Sequence, residues 1–161
     1  MKLSASVLAC LLLAACGFQL RGTASLPFET IHVPNATSGI ALDLKRNIRS
    51  GTKTRVLDEA KGAEAQLKFS EESRQKEILS LSSAGRVSEY RLIYRVRFSV
   101  SDAKGADFLP PSTVTLTRDM TYDDAQVLAK EAEEQLLFRD MQLDMVQQIM
   151  RRIATARKPK A

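Results

Sequence analysis

Few residues of this 161-residue chain have side chains suited to covalent chemistry, and each stands nearly alone. His32 is the single histidine, and Cys10 and Cys16 are the two cysteines. A nucleophile needs a base within hydrogen-bond reach and an orienting group behind that base. Ser82 and Ser83 are adjacent, but no G-x-S-x-G elbow surrounds them, and nothing near His32 in the sequence arranges a Ser–His–Asp triad. Asp123 and Asp124 are paired carboxylates just ahead of a long helical pattern, where they suit capping and the helix dipole. One histidine with no spare thiol does not make a metal-ligand cluster. A lone His32 in an apolar strand reads as a structural residue, and the chain reads as a non-enzyme without a cofactor.

The two thiols pose the remaining chemical question, a redox or packed pair against a site of acylation. Lys2 supplies a positive n-region, and residues 3–13 form an apolar h-region interrupted by Ser4 and Ser6. That run is too short to span a bilayer and suits a secretory signal. Leu13, Ala14, Ala15 and Cys16 resemble a bacterial lipobox, in which the cysteine is acylated and becomes the first residue. Small residues let the peptidase grip the backbone, and only a thiol forms the thioether to diacylglycerol. Gly17 follows in place of the Asp typical of inner-membrane retention, which points to the outer membrane of a Gram-negative cell. Cleavage would remove Cys10 and acylation would consume Cys16, leaving no disulfide. Several acyl chains on Cys16 make a firm anchor, at about 0.8 kcal/mol per buried methylene.

The chain expected after cleavage has the size of one domain and remains basic, from a total net charge of +5. In an envelope compartment the acidic partners of such a domain are phosphorylated glycolipid, anionic lipid or acidic protein, rather than nucleic acid. The reading along the chain is a signal peptide over residues 1–15, an acylated start and linker over 16–26, a domain over 27–156 and a disordered basic tail over 157–161. Phe28, Ile31 and Val33 form a short strand. A helix follows over residues 38–50, with Ser38 as N-cap, Ile40, Ala41, Leu44 and Ile48 on one face, and Gly51 as a left-handed stop. Residues 65–121 are strand-like. The polar run EESRQKE (71–77) interrupts the first of these strands as a bulge or a break, and SSAGR (82–86) supplies a hairpin turn. In the next strand Tyr90, Leu92, Tyr94, Val96, Phe98 and Val100 share one face. Arg91, Arg95 and Arg97 lie on the other. Gly105, Pro110 and Pro111 mark a loop before a strand with Val114 and Leu116 inward and Thr113, Thr115 and Thr117 outward.

From Asp123 or Asp124 the pattern is helical to about Ala156. Leu128, Ala132, Leu136, Leu143, Val146, Met150 and Ile153 share one arc, with Arg139 as a misfit inside it. A flanking arc holds Val127, Leu137, Phe138, Met141, Met145 and Ile149. Either the helix is buried broadly by its own domain, or the Met-rich flank (Leu137, Phe138, Met141, Met145) meets a partner.

The order β-α-β-β-β-α gives a two-layer α/β (α+β) sandwich: a mixed sheet of about four strands with two helices on one face. Tracing strand directions brings the turn at residues 84–86 and the start of the last helix to one end. Arg86 and Lys130 gather there, joined by Arg74 and Lys76 if the hairpin overhangs the helices. Such a cluster would hold phosphates through charge-assisted hydrogen bonds.

CGFQLRG (16–22), SEYRL (88–92) and VLAKEAEEQL (127–136), together with the element order, resemble the LptE (RlpB) family of lipopolysaccharide-assembly lipoproteins over residues 16–156. The resemblance implies a non-enzymatic lipoprotein in 1:1 complex with the outer-membrane β-barrel LptD, acting as its plug and assembly aid while lipopolysaccharide is delivered to the outer leaflet. It implies an anchor in the outer membrane through Cys16, in the periplasm or a barrel lumen, and lipopolysaccharide as ligand. Arg86, Lys130, Arg74 and Lys76 are then the expected glycolipid contacts. Barrel interiors are polar, which makes Arg91, Arg95 and Arg97 expected partner contacts, with Leu137, Phe138, Met141 and Met145 beside them. The competing reading is a general outer-membrane lipoprotein that binds a different envelope protein or glycolipid.

Overall fold

The computed structural model describes residues 25–158. The expectations for the signal segment, Cys10 and Cys16 lie outside them, as do residues 159–161. One five-stranded sheet runs in the order β2-β1-β3-β4-β5, with β1 at Thr30–His32, β2 at Arg55–Leu57, β3 at Ala65–Leu81, β4 at Val87–Ser101 and β5 at Asp107–Thr121. Helices α1 (Gly39–Gly51) and α2 (Val127–Ala154) cover one face. The mixed two-layer architecture expected from the sequence is the one observed. The sheet has one strand more than the expected four, because the short β2 carries only the triplet RVL and too few alternations to register as a period. It pairs parallel with β1, as β3 does on the other side.

Helix α1 buries Ile40, Ala41, Leu44 and Ile48, the face its spacing predicts. Ser38 is its N-cap in extended backbone, without a capping hydrogen bond from its side chain. Gly51 does not stop the helix in a left-handed turn; it is the last helical residue. Thr52 closes the helix instead, donating both its backbone N–H (3.1 Å) and its hydroxyl (2.8 Å) to the Ile48 carbonyl. His32 sits in β1 with Nδ1 3.3 Å from the Leu57 carbonyl, a strand-to-strand contact in keeping with a structural role.

The three long strands form an antiparallel meander. EESRQKE does not break β3: the strand continues through it, and the register shifts between Phe69 and Glu71 as a β-bulge. Pro110 and Pro111 lie within β5, not in a loop before it. They are tolerated because β5 is an edge strand and its register with β4 is irregular there, between Phe98 and Val100. The β3–β4 turn closes with Ser82 N–H to Arg86 O at 2.7 Å and Gly85 at φ 74°, a left-handed conformation that suits glycine.

The core lies between sheet and helices, with Leu92, Tyr94, Val96, Phe98 and Val100 of β4 at its centre. Its margins extend beyond the expected domain ends. Leu26 is buried in this core, so the packed unit includes the last residue of the supposed linker. Arg157 N–H donates to Phe108 O at 3.0 Å, and Lys158 pairs with Glu64 at 2.8 Å. The first two residues of the expected disordered tail are therefore held.

Candidate functional site

The outward sheet face is built by alternation. Strand register places Glu71, Arg97 and Thr113 in one row, Ser73, Arg95 and Thr115 in the next, then Gln75, Ile93 and Thr117, then Glu77, Arg91 and Asp119. Both helices pack on the opposite side, so this polar surface is left to solvent or to a partner. Arg91 forms a fork with Asp119 (2.8 and 3.0 Å), and Arg95 reaches Glu71 at 4.0 Å. The Arg91 guanidinium holds the Asp119 carboxyl below the usual carboxylate range by hydrogen bond and charge. The three arginines expected on one face are on one face, spread over seven residues of β4, or about 20 Å.

The bulge at Ser70 reverses side-chain parity along β3. Before it Ala65, Leu67 and Phe69 point toward the helices, whereas after it Glu72, Arg74, Lys76 and Ile78 do. Two cations thereby arrive beneath α2. The Arg74 guanidinium lies 4.9 Å from the Tyr94 ring centroid and 5.7 Å from that of Phe138, and it donates to Gln142 Oε1 at 2.5 Å. Lys76 Nζ is 4.9 Å from the Tyr90 ring and 2.6 Å from Glu134 Oε2. The Glu134 hydrogen bond, with its charge, raises the Lys76 pKa. The Tyr94 hydroxyl donates to Glu72 Oε1 at 2.6 Å; burial first, then that carboxylate, pushes the Tyr94 pKa up. Arg74 and Lys76 therefore do not join Arg86 at the end of the molecule. The β4 partner of Lys76 is Leu92, five residues from Val87, which puts Lys76 about 17 Å below the turn. Both side chains fasten α2 to β3. On its other side Arg118 joins β5 to Asp144 of α2 at 2.7 Å.

Arg86 and Lys130 do occupy the same end. Arg86 is exposed in the β3–β4 turn, where its N–H donates to Ser82 Oγ at 3.2 Å. Tyr122 N–H donates to Ser88 O at 2.8 Å, tying the close of β5 to the hairpin, and Lys130 Nζ reaches Thr121 Oγ1 at 3.1 Å. Lys130 also pairs with Glu133 at 2.9 Å, so part of its charge is already met. Around this end lie Ile78, Leu79 and Leu81 of β3, all exposed. Sequence alternation assigned these residues to a strand and gave them no further role; the signal for their exposure was the four-residue run ILSL beside a turn. The end of the molecule is thus apolar and cationic together.

Helix α2 is rotated relative to the expected partner face. Met141 and Met145 are fully buried in the core, with Val146, Ile149 and Ile153. They cannot meet a partner in the folded domain. Leu137 and Phe138 are half-buried against the same core. The arc that starts at Leu128 instead faces outward as far along the helix as Leu143: Leu128 is 83 % exposed, Leu136 59 % and Leu143 53 %. No helix among the described residues is long and apolar enough to cross a membrane.

The family model "LptE: Lipopolysaccharide-assembly" matches residues 28–153. An LPS-assembly lipoprotein LptE from Pectobacterium atrosepticum is 28 % identical over 152 residues, covering 92 % of this chain and 82 % of that protein. The protein of the same name from Photorhabdus laumondii is 27 % identical over 160 residues, covering 96 % and 87 %. Among solved structures, a lipoprotein B from Nitrosomonas europaea is 42 % identical, with a TM-score of 0.73 over 86 % of this chain and 90 % of that one. The rare lipoprotein B of Shewanella oneidensis is 25 % identical, with a TM-score of 0.67 over 78 % and 92 %.

Proposed function

Because the chain belongs to the LptE lipopolysaccharide-assembly family, a family of assembly lipoproteins rather than enzymes, we propose that it acts as the lipoprotein partner of the outer-membrane barrel LptD. In this reading Cys16 carries the lipid that anchors the domain to the outer membrane. The domain sits 1:1 in the barrel, aids its assembly, and helps place lipopolysaccharide in the outer leaflet. The observation that carries the proposal is the family match across residues 28–153, which spans both helices' packed faces and every strand.

Two surfaces support the reading. A barrel lumen is polar, and the Arg91–Arg95–Arg97 face with its threonine rows offers matching donors and acceptors. Lipopolysaccharide is a phosphorylated amphiphile, and the hairpin end combines the Arg86 and Lys130 cations with exposed Ile78, Leu79 and Leu81. Arg86 supplies the freer charge of the two, with Lys130 partly engaged by Glu133. Arg74 and Lys76 fall outside this contact set, since each is committed to α2.

Purification of the native lipoprotein from detergent-solubilised outer membrane tests the proposal. Recovery of one large β-barrel in equal amount is expected; its absence overturns the partnership. For the glycolipid, Arg86→Glu with Lys130→Glu should weaken lipopolysaccharide binding more at low salt than at high. Binding that is unchanged across salt would remove both residues from the site.

A further inference from the structure

A groove of about 390 Å³ opens at the base of the sheet, where β1 and β2 begin. Its volume lies within the range of small-ligand sites, about 300–1,000 Å³. Two backbone segments form its walls, and hydrogen bonds fix one to the other. The buried Thr54 hydroxyl donates to Phe28 O at 3.0 Å, and Arg55 N–H donates to Glu29 O at 2.9 Å. With Thr54 turned inward, its neighbours Lys53 and Arg55 are both exposed along the groove. Leu26 and Phe28, buried in the core, contribute its apolar part. The charges lining the groove are those of Lys53, Arg55, Lys158 and Glu29. Lys158 is held by Glu64 at 2.8 Å; that contact first, and more weakly the charge of Glu29, raise its pKa. Both acids therefore bear on Lys158. Lys53, Arg55 and Glu29 enter no ion pair among the described residues, which leaves two unpaired cations against one unpaired carboxylate. Arg157, exposed beside Lys158, adds a cation to the same end.

We propose that this groove binds the phosphate headgroup of an anionic phospholipid in the bilayer to which the protein is anchored, an inference that rests on the acylation of Cys16. Position selects the occupant. Ser25 lines the groove and stands nine positions after Cys16. Nine residues reach no further than about 32 Å at full extension, so the groove stays within that distance of the bilayer surface. The guanidinium fork of Arg55 and the ammonium of Lys53 suit the two free oxygens of a phosphodiester. Lipopolysaccharide carries phosphates too, but a glycolipid moved out of its bilayer needs cover for its acyl chains. None of the exposed large apolar residues lines the groove, whereas Ile78, Leu79 and Leu81 gather at the hairpin end. A phospholipid that stays in its bilayer asks for headgroup contact alone. A second copy meeting this one base to base would set Lys53 and Arg55 against themselves. The acyl chains already hold the protein to the membrane; the headgroup contact fixes which end faces it. The seventeen residues of β3 then carry the hairpin turn about 50 Å away from that end.

The test uses the full-length lipoprotein in neutral detergent, with the mass of its N-terminal peptide reporting acylation independently of headgroup binding. The protein is titrated with short-chain phosphatidylglycerol, short-chain phosphatidylcholine, inorganic phosphate and lipopolysaccharide. The backbone amide signals of Glu29, Thr54 and Arg55 are followed by NMR. Phosphatidylglycerol is expected to shift them saturably, phosphatidylcholine to leave them in place, and inorganic phosphate to bind more weakly. Lys53→Gln with Arg55→Gln should lower the phosphatidylglycerol affinity roughly tenfold, with thermal unfolding unchanged. Arg86→Gln, at the hairpin end, should leave that affinity unaltered. The proposal is overturned if phosphatidylglycerol gives no saturable shift, or if phosphatidylcholine, inorganic phosphate or lipopolysaccharide binds the groove as tightly. An affinity indifferent to the double substitution overturns it as well. An N-terminal peptide without lipid defeats the anchor reading alone, and the titration still decides the headgroup site.

Discussion

The Arg74 guanidinium stacks 4.9 Å above the Tyr94 ring, and the Tyr94 hydroxyl in turn donates to Glu72, two residues from Arg74 on the same strand. Cation, ring and carboxylate thus form a closed set beneath α2, and Gln142 fixes the guanidinium from the helix side. Arg74→Ala removes the stacking on two rings and a charge-assisted hydrogen bond. The expected loss is about 1–3 kcal/mol, with Arg74→Lys losing less, both measured by urea unfolding. A loss indistinguishable from zero would show that α2 is held by its apolar core alone.

The bulge that delivers Arg74 can itself be removed. Deleting Ser70 restores unbroken alternation and forces either Ala65 and Leu67 or Glu72 to Lys76 onto the wrong face. The deletion is expected to abolish the cooperative melting transition followed by circular dichroism. Ser70→Ala, which keeps the extra residue, is expected to shift the transition by no more than a few degrees.

Alkaline pH should loosen the same seam. Both Lys76 and Tyr94 have folded pKa values raised above their ordinary ones, Lys76 by Glu134 and Tyr94 mainly by burial. A raised folded pKa contributes stability below the unfolded value, and that contribution is lost as pH rises above it. For these groups the window opens above about pH 10. Urea midpoints should therefore fall above pH 10. The tyrosinate absorbance should show a late-titrating component that disappears in Tyr94→Phe.

Helix α2 offers a direct contrast between its two faces. Met145→Ala empties a fully buried site and should cost about 2–5 kcal/mol. Leu136→Ala, on the exposed ridge, should stay within about 0.5 kcal/mol. Equal losses at the two positions would contradict the rotation of the helix described above.

On the sheet face, Arg91→Glu combined with Arg95→Glu should leave the melting temperature nearly unchanged, because exposed ion pairs contribute little to stability. Co-purification of the proposed barrel partner should fall sharply. At acid pH the Arg91–Asp119 fork gives a small effect of opposite direction. Asp119 has a lowered folded pKa, so its contribution is present above the ordinary carboxylate pKa and fades as pH drops.

The fold was legible wherever a period ran long enough. The alternation of β4 and the apolar face of α1 were sufficient to place both layers and to set the Arg/Thr face outside. Arg86 and Lys130 came to one end because strand direction alone determines that. Three features escaped for physical reasons. β2 is too short to show a period. The Ser70 bulge inverts parity, so Arg74 and Lys76 of EESRQKE, expected among the glycolipid contacts, instead hold down a helix. In α2 a helical wheel averages over twenty-eight residues, but the helix is covered differently along its length. One side of it packs beside α1, with Gln142 bonded to Asp43 and Gln147 to Asn47, while its outer side is left open from Leu128 as far as Leu143. The averaged arc therefore merged exposed Leu128, Leu136 and Leu143 with buried Val146 and Ile153.

The position of Pro110 and Pro111 in the outer strand bears on how this domain keeps to itself. A fifteen-residue edge would present a row of free amide donors on which another chain could lay down a strand. The two prolines have no N–H to offer, and the irregular register beside them interrupts the row. A nascent β-protein that meets this margin finds no continuous template. The sheet can meet other β-structure at this edge without being extended by it.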